Sequence, residues 1–167
     1  MIADSLKALN RAFNNEGSRF IVVGGLAVVA HGYVRATQDL DIVIELIPEN
    51  IEKAFNALAS EGYQPAIPVS PKDFSDPKTR KDWIKSKQMT VLQFWSDLHK
   101  DVPVDVFVES PFDFQKEWDI SYQQNLDTDQ PSLRFATIDS LIQMKKKAGR
   151  PQDLVDIEQL EWIRDQA

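Results

Sequence analysis

The 167-residue chain has no cysteine, which excludes disulfides, zinc ribbons and thiol catalysis. Its two histidines, His31 and His99, have no metal-spaced partner. His31 lies in an apolar run before Gly32 and reads as a hydrogen-bonded core or turn residue rather than a ligand. No stretch reaches the ~18 consecutive apolar residues of a membrane span. The opening Met-Ile-Ala-Asp-Ser-Leu-Lys lacks the basic-then-apolar layout of a signal peptide. A cytoplasmic protein with no membrane partner is therefore expected. Glycine is sparse, at six residues, and neither G-x-G-x-x-G nor G-x-x-x-x-G-K-[ST] occurs, so the common nucleotide-loop readings fail. Positive charge is also short: 19 Lys and Arg against 26 Asp and Glu leave a net charge of −7, which disfavours a broad nucleic-acid surface. One local exception is the run Arg134, Lys145, Lys146, Lys147 and Arg150, which holds a single acidic residue, Asp139.

What remains is an ordinary globular composition, 43% hydrophobic and 27% charged, at a length that fits one domain with a real core. Apolar spacing predicts a helix over 3–15, with Leu6, Leu9, Ala12 and Phe13 on one side, and a strand over 20–23. A short helix over 26–31 and a strand over 40–46 follow. Pro48 then starts a helix over 49–61 that Gly62 stops. Residues 64–82 hold four of the nine prolines and read as a long surface loop or lid. Strands are expected over 89–95 and 104–108. Residues 111–132 mix aromatic and polar residues and define no element. A strand at 133–136 leads to helices over 138–147 and 152–165, separated by Gly149 and Pro151. Interleaved strands and helices give an α/β (α+β) class: a small mixed sheet flanked by helices. The expected layout is a single domain over 1–167, with a core at about 18–110 and a C-terminal helical part at about 133–167.

Residues 20–46 carry the chemistry. An apolar strand runs into Gly24-Gly25, and a second apolar strand opens with Asp39 and Asp41. Strand side chains repeat every two residues, so these carboxylates share a face, roughly 7 Å apart along the chain. Aspartate is disfavoured in strands, although a capped turn and a solvated strand end would also account for the pair. Asp105 adds a third carboxylate, on the face of Val104–Val108 opposite its valines. If the strands are neighbours, the three converge into a set able to hold divalent metal beside a phosphate. Trp83, Trp95, Trp118 and Trp162 are too scattered for a stacking platform and read as core or interface packing.

The ordered set Gly24-Gly25, Arg35-x-Thr37-x-Asp39-x-Asp41, and a later strand Asp105 resembles the DNA polymerase β-like nucleotidyltransferase superfamily. More narrowly it resembles the AbiEii-type toxin nucleotidyltransferases, whose late motifs are similar to Lys145 on one helix and Asp153 and Asp156 on the next. The resemblance implies Mg²⁺ (or Mn²⁺) on Asp39, Asp41 and Asp105, with Asp105 also the general base. It implies a nucleoside triphosphate on Gly24, Gly25, Thr37 and Lys145, with Arg35 a further phosphate candidate and Asp153 orienting Lys145 or the acceptor. The implied acceptor is an RNA 3′ end or a protein hydroxyl, and the implied setting is a toxin with a cognate antitoxin. The alternatives are a non-catalytic binding or regulatory module of the same fold, and a small-molecule, antibiotic-type transferase.

Overall fold

The computed structural model describes residues 2–167. The helix α1 (Ile2–Glu16) buries Leu6, Leu9 and Phe13 along one stripe and leads to the strand β1 (Phe20–Val23), buried on both faces. Next come α2 (Gly24–Ala30), β2 (Leu40–Ile44), α3 (Pro48–Ser60) and β3 (Tyr63–Pro65). The chain continues through α4 (Pro71–Ser75), α5 (Pro77–Lys87), β4 (Val91–Ser96) and β5 (Val104–Phe107). It ends with α6 (Phe114–Ile120), β6 (Tyr122–Gln124), β7 (Leu133–Phe135), α7 (Ile138–Ala148) and α8 (Pro151–Gln166). Among the described residues, no helix is long and apolar enough to cross a membrane.

The seven strands of the described residues form one mixed sheet in the order β3-β4-β5-β2-β1-β7-β6. The pairs β2–β5 and β1–β7 are parallel, and the others are antiparallel. One face carries the main core: Phe13 of α1 meets Phe20 of β1, and Phe55 of α3 meets Phe94 of β4 edge-on. Phe13, Phe74 and Phe94 are among the largest fully buried side chains, and truncating any of them to alanine would cost roughly 3–5 kcal/mol. The opposite face is covered over β1 and β2 by α2, against which α7 packs, and α8 in turn packs on α7.

The structure departs from the sequence expectations in three places. Residues 64–82 are not a loop or lid. Pro71 and Pro77 each stand in the first turn of a helix, where the missing N–H costs nothing, and Ser70 and Asp76 cap those helices through their side chains. Two of the four prolines that suggested irregularity, Pro71 and Pro77, are helix starts. Residues 111–132 are likewise structured over α6 and β6, with Asp113 accepting from the Lys116 N–H to start the helix. The short helix after β1 begins at Gly24 itself, two residues before the position predicted from apolar spacing, because the glycines form its first turn.

Candidate active site

Backbone register gathers the carboxylates. Val23 pairs with Asp41, Asp41 with Asp105, and Asp105 with Gln93, so these residues form one row across β1, β2, β5 and β4. Adjacent strands lie about 4.8 Å apart, which puts the Asp41 and Asp105 side chains in contact. The two carboxyls are close enough to perturb each other's proton affinity. Burial, reinforced by the charges of Asp105 and Asp39, pushes the Asp41 carboxyl up to about 7. Asp105 is raised too, chiefly by burial and also by the Asp39 charge, against the lowering effect of the hydrogen bond from Gln93. Asp39 stands one residue before β2, exposed, and acts on the pair by charge. Among the described residues, no three His, Asp or Glu side chains are already gathered as a metal cage. Two of the three expected carboxylates are thus in contact, and the third is within charge reach.

Gly24 makes room for this pair. Its φ is +69°, and a Cβ there would stand 2.1 Å from Asp41 Oδ2. Only glycine fits, both for the backbone conformation and for the space. Gly25 has a different neighbour: a Cβ there would fall 2.7 Å from Thr37 Oγ1 and 2.9 Å from Arg35 Nη2. The segment between α2 and β2 therefore folds back over the double glycine and brings Thr37 and Arg35 to it.

The late motifs complete the surroundings from the other side. Lys145 is buried on α7, with Nζ 2.8 Å from Asp156 Oδ2 and 3.5 Å from Asp153 Oδ1. Arg35 Nη2 donates to the same Asp156 Oδ2 at 2.8 Å, and Gln152 donates to Asp156 Oδ1 at 3.0 Å. Burial opposes ionisation of Asp156, but the hydrogen bonds of Lys145, Arg35 and Gln152 outweigh it and hold the carboxyl below the usual range. Asp153 behaves in the same way: burial opposes ionisation, and the hydrogen bonds and charge of Arg150, with Lys145, prevail. Both aspartates are fully buried. In the sequence Asp156 has no visible role, because its partner Arg35 is distant along the chain. The Arg35 Nε atom is buried and has no hydrogen-bond partner among the described residues.

The basic run of the C-terminal part is largely consumed internally. Lys145 serves Asp153 and Asp156, and Arg150 donates from its backbone N and its Nε to Asp153 Oδ2. Arg134 lies 4.0 Å over the Trp118 ring and donates to the Trp118 carbonyl. Lys146 and Lys147 are exposed. His31 meets the Ala136 carbonyl at 2.8 Å, as a turn residue should. The tryptophans divide: Trp83 is buried and Trp118 stacks on Phe114, but Trp95 and Trp162 are 49% and 62% exposed and lie outside the core. Sequence reasoning also passed over Gln93, which donates to Asp105 Oδ1 at 3.1 Å. The signal available was a polar residue alternating with the apolar residues of β4.

Two surface hollows flank this row without containing the carboxylates. One, of about 390 Å³, lies between His31, Tyr122, Thr137 and Arg164. The other, of about 340 Å³, lies at the β3–β4 edge beside Trp95. The carboxylates themselves stand on an open sheet face.

No protein-family model matches the chain, and no curated protein sequence does. Among solved structures, the fold is similar to the lincomycin-bound crystal structure of the lincosamide antibiotic adenylyltransferase LnuA. That similarity has 15% identity and a TM-score of 0.53, over 90% of this chain and 90% of that one. It is similar also to an antigenic nucleotidyltransferase-like protein from Paracoccidioides brasiliensis, at 12% identity and a TM-score of 0.56, over 99% of this chain and 76% of that one. At these identities the shared property is the fold: an α/β arrangement also seen in nucleotidyltransferases.

Proposed function

We propose that this nucleotidyltransferase-type fold moves a nucleoside monophosphate from a nucleoside triphosphate to an acceptor hydroxyl. The observation that carries the reading is the Asp41–Asp105 pair, in direct register on adjacent parallel strands, behind a Gly24 that only glycine can occupy. A cluster of acidic oxygens with raised proton affinity is the donor set that a hard divalent cation prefers. Asp39, Asp41 and Asp105 would hold Mg²⁺ or Mn²⁺, which supplies Lewis-acid stabilisation of charge on the phosphates.

The chain's own residues do the rest. Gly24 and Gly25 offer backbone without side-chain obstruction to the triphosphate. Thr37 adds a hydroxyl, and Arg35, held by Asp156, places its guanidinium beside Gly25. Lys145 contributes positive charge while Asp153 and Asp156 fix its position. The acceptor hydroxyl attacks the α-phosphorus, its proton passes to Asp105, and pyrophosphate leaves.

The sequence resemblance implies a cytoplasmic toxin with an antitoxin partner, acting on an RNA 3′ end or a protein. The internal pairing of Lys145, Arg150 and Arg134 favours a second reading of the acceptor, because a phosphate-tracking groove needs free cations. That reading is a small hydroxyl-bearing molecule.

The test is incubation with each α-labelled triphosphate and Mg²⁺, beside Asp41→Ala, with RNA, protein and small-molecule acceptors in separate arms. Label transfer that disappears in the variant supports the reading. Nucleotide bound without transfer in every arm would mark a non-catalytic binding module instead.

A further inference from the structure

Along β4, Leu92, Phe94 and Ser96 face the core, so Gln93 and Trp95 face the side on which Asp41 and Asp105 stand. Phe94 and Leu40 both pair with Val104. Trp95 therefore lies toward the start of β2, the end at which Asp39 stands. A half-exposed tryptophan alone is unremarkable. This one is tied to the carboxylates. Its Nε1 donates to Gln93 Oε1 at 3.0 Å, and Gln93 Nε2 donates to Asp105 Oδ1 at 3.1 Å. An indole N–H can only donate, so it holds the oxygen of the Gln93 amide and thereby turns the NH₂ toward Asp105. Chemistry dictates that amide orientation at both ends.

We infer that Trp95 and Gln93 form the acceptor side of the site, the indole carrying a ring of a small hydroxyl-bearing molecule and Gln93 holding Asp105 toward that hydroxyl. The inference rests on the nucleotidyl-transfer reading and specifies its acceptor. Trp95 would touch the substrate; Gln93 acts through Asp105 and is a positioning residue. In the step itself, a new bond forms between the acceptor oxygen and the α-phosphorus. The bond from that phosphorus to the bridging oxygen breaks, the electron pair leaves with pyrophosphate, and the hydroxyl proton passes to Asp105. The Gln93 donor occupies part of one carboxylate oxygen and leaves lone pairs free for that proton.

Size and charge narrow the acceptor. The hollow beyond Trp95, with Gln64, Pro65, Asp97 and Lys100 on its walls, measures about 340 Å³. That is the lower end of the ~300–1,000 Å³ range of small-ligand sites, enough for a substituted ring. The hollow itself carries one acidic and one basic group, Asp97 and Lys100, and so no excess positive charge to track a polyanion.

The test supplies α-labelled triphosphates, Mg²⁺ and either the dialysable fraction of a cell extract, total RNA or the retained proteins. Label is expected in the dialysable fraction, and the labelled acceptor, once purified, serves for kinetics. Trp95→Ala should raise the acceptor KM about tenfold or more, with the triphosphate KM unchanged, and Trp95→Phe should restore most of the loss. Gln93→Leu should lower kcat by about 10–100-fold with both KM values near wild type. That split separates positioning from a general loss of folding. Label in RNA or protein, or an acceptor KM indifferent to Trp95→Ala, overturns the inference while leaving nucleotidyl transfer standing. Absence of transfer to any acceptor overturns both.

Discussion

Single atoms decide this site. Gly24 has no spare volume, since an added methyl would stand 2.1 Å from an Asp41 oxygen, at a backbone angle that side chains rarely adopt. Gly24→Ala should therefore displace Asp41 and destabilise the fold by roughly 1–3 kcal/mol. Thermal unfolding checks the second effect and label transfer the first. Asp41 shows the opposite tension: its carboxyl is pushed up to about 7 by burial and by its acidic neighbours. Asp41→Asn keeps the shape and removes the repulsion. The variant should melt at a higher temperature than wild type at pH 8 without divalent ions, and should lose the gain in melting temperature that Mg²⁺ gives the wild type. An unchanged response to Mg²⁺ would remove Asp41 from the metal set.

At the scale of elements, α7 and α8 are joined by charge as well as by apolar packing. Asp156 on α8 receives Lys145 of α7 and also Arg35 of the segment between α2 and β2, so one buried carboxylate ties three parts of the chain. Removing it strands two cations. Asp156→Ala should cost about 3–5 kcal/mol, read by urea denaturation, and should weaken triphosphate binding because Arg35 loses its anchor. The same carboxylate sets a pH dependence. Its folded value lies below the unfolded one, so its stabilisation is fully present above the ordinary carboxylate value of about 3.9 and is lost as pH falls through the folded value. Asp153 acts in the same direction. Asp156→Asn should flatten the fall in stability below pH 4, measured by melting temperature against pH. Pro71 and Pro77 belong at this scale as well, because their meaning depends on position: the residue that forbids a helix interior is well placed in a first turn.

For the molecule as a whole, the sheet is the organising device. It places β2 and β5 side by side although 59 residues separate their Ile44 and Val104 ends, and it adds β7 next to β1, delivering α7 and α8 to the double glycine. Truncation after Gly149 should therefore reach the site from a distance. Removing α8 exposes Lys145, frees Arg35 and deletes the buried Leu160. The shortened protein should melt at a lower temperature and bind triphosphate at least tenfold more weakly by equilibrium titration. Wild-type affinity in that variant would show that Arg35 needs no anchor.

The amino-acid order by itself determined the α/β class and most element positions, and it singled out Asp39, Asp41 and Asp105 as candidate carboxylates, because side-chain period and the rarity of aspartate in strands are local properties. It did not reveal that Pro71 and Pro77 start helices, since capping by Ser70 and Asp76 competes with a proline count that points the other way. It could not assign Gln93, Asp156 or Trp95. Gln93 matters because β4 lies beside β5, Asp156 because α8 folds back toward the segment before β2, and Trp95 because its indole finds Gln93. Each of those relations is a contact between strands or helices far apart along the chain, and only the packed sheet, driven by burial of its apolar face, brings such partners within hydrogen-bond distance.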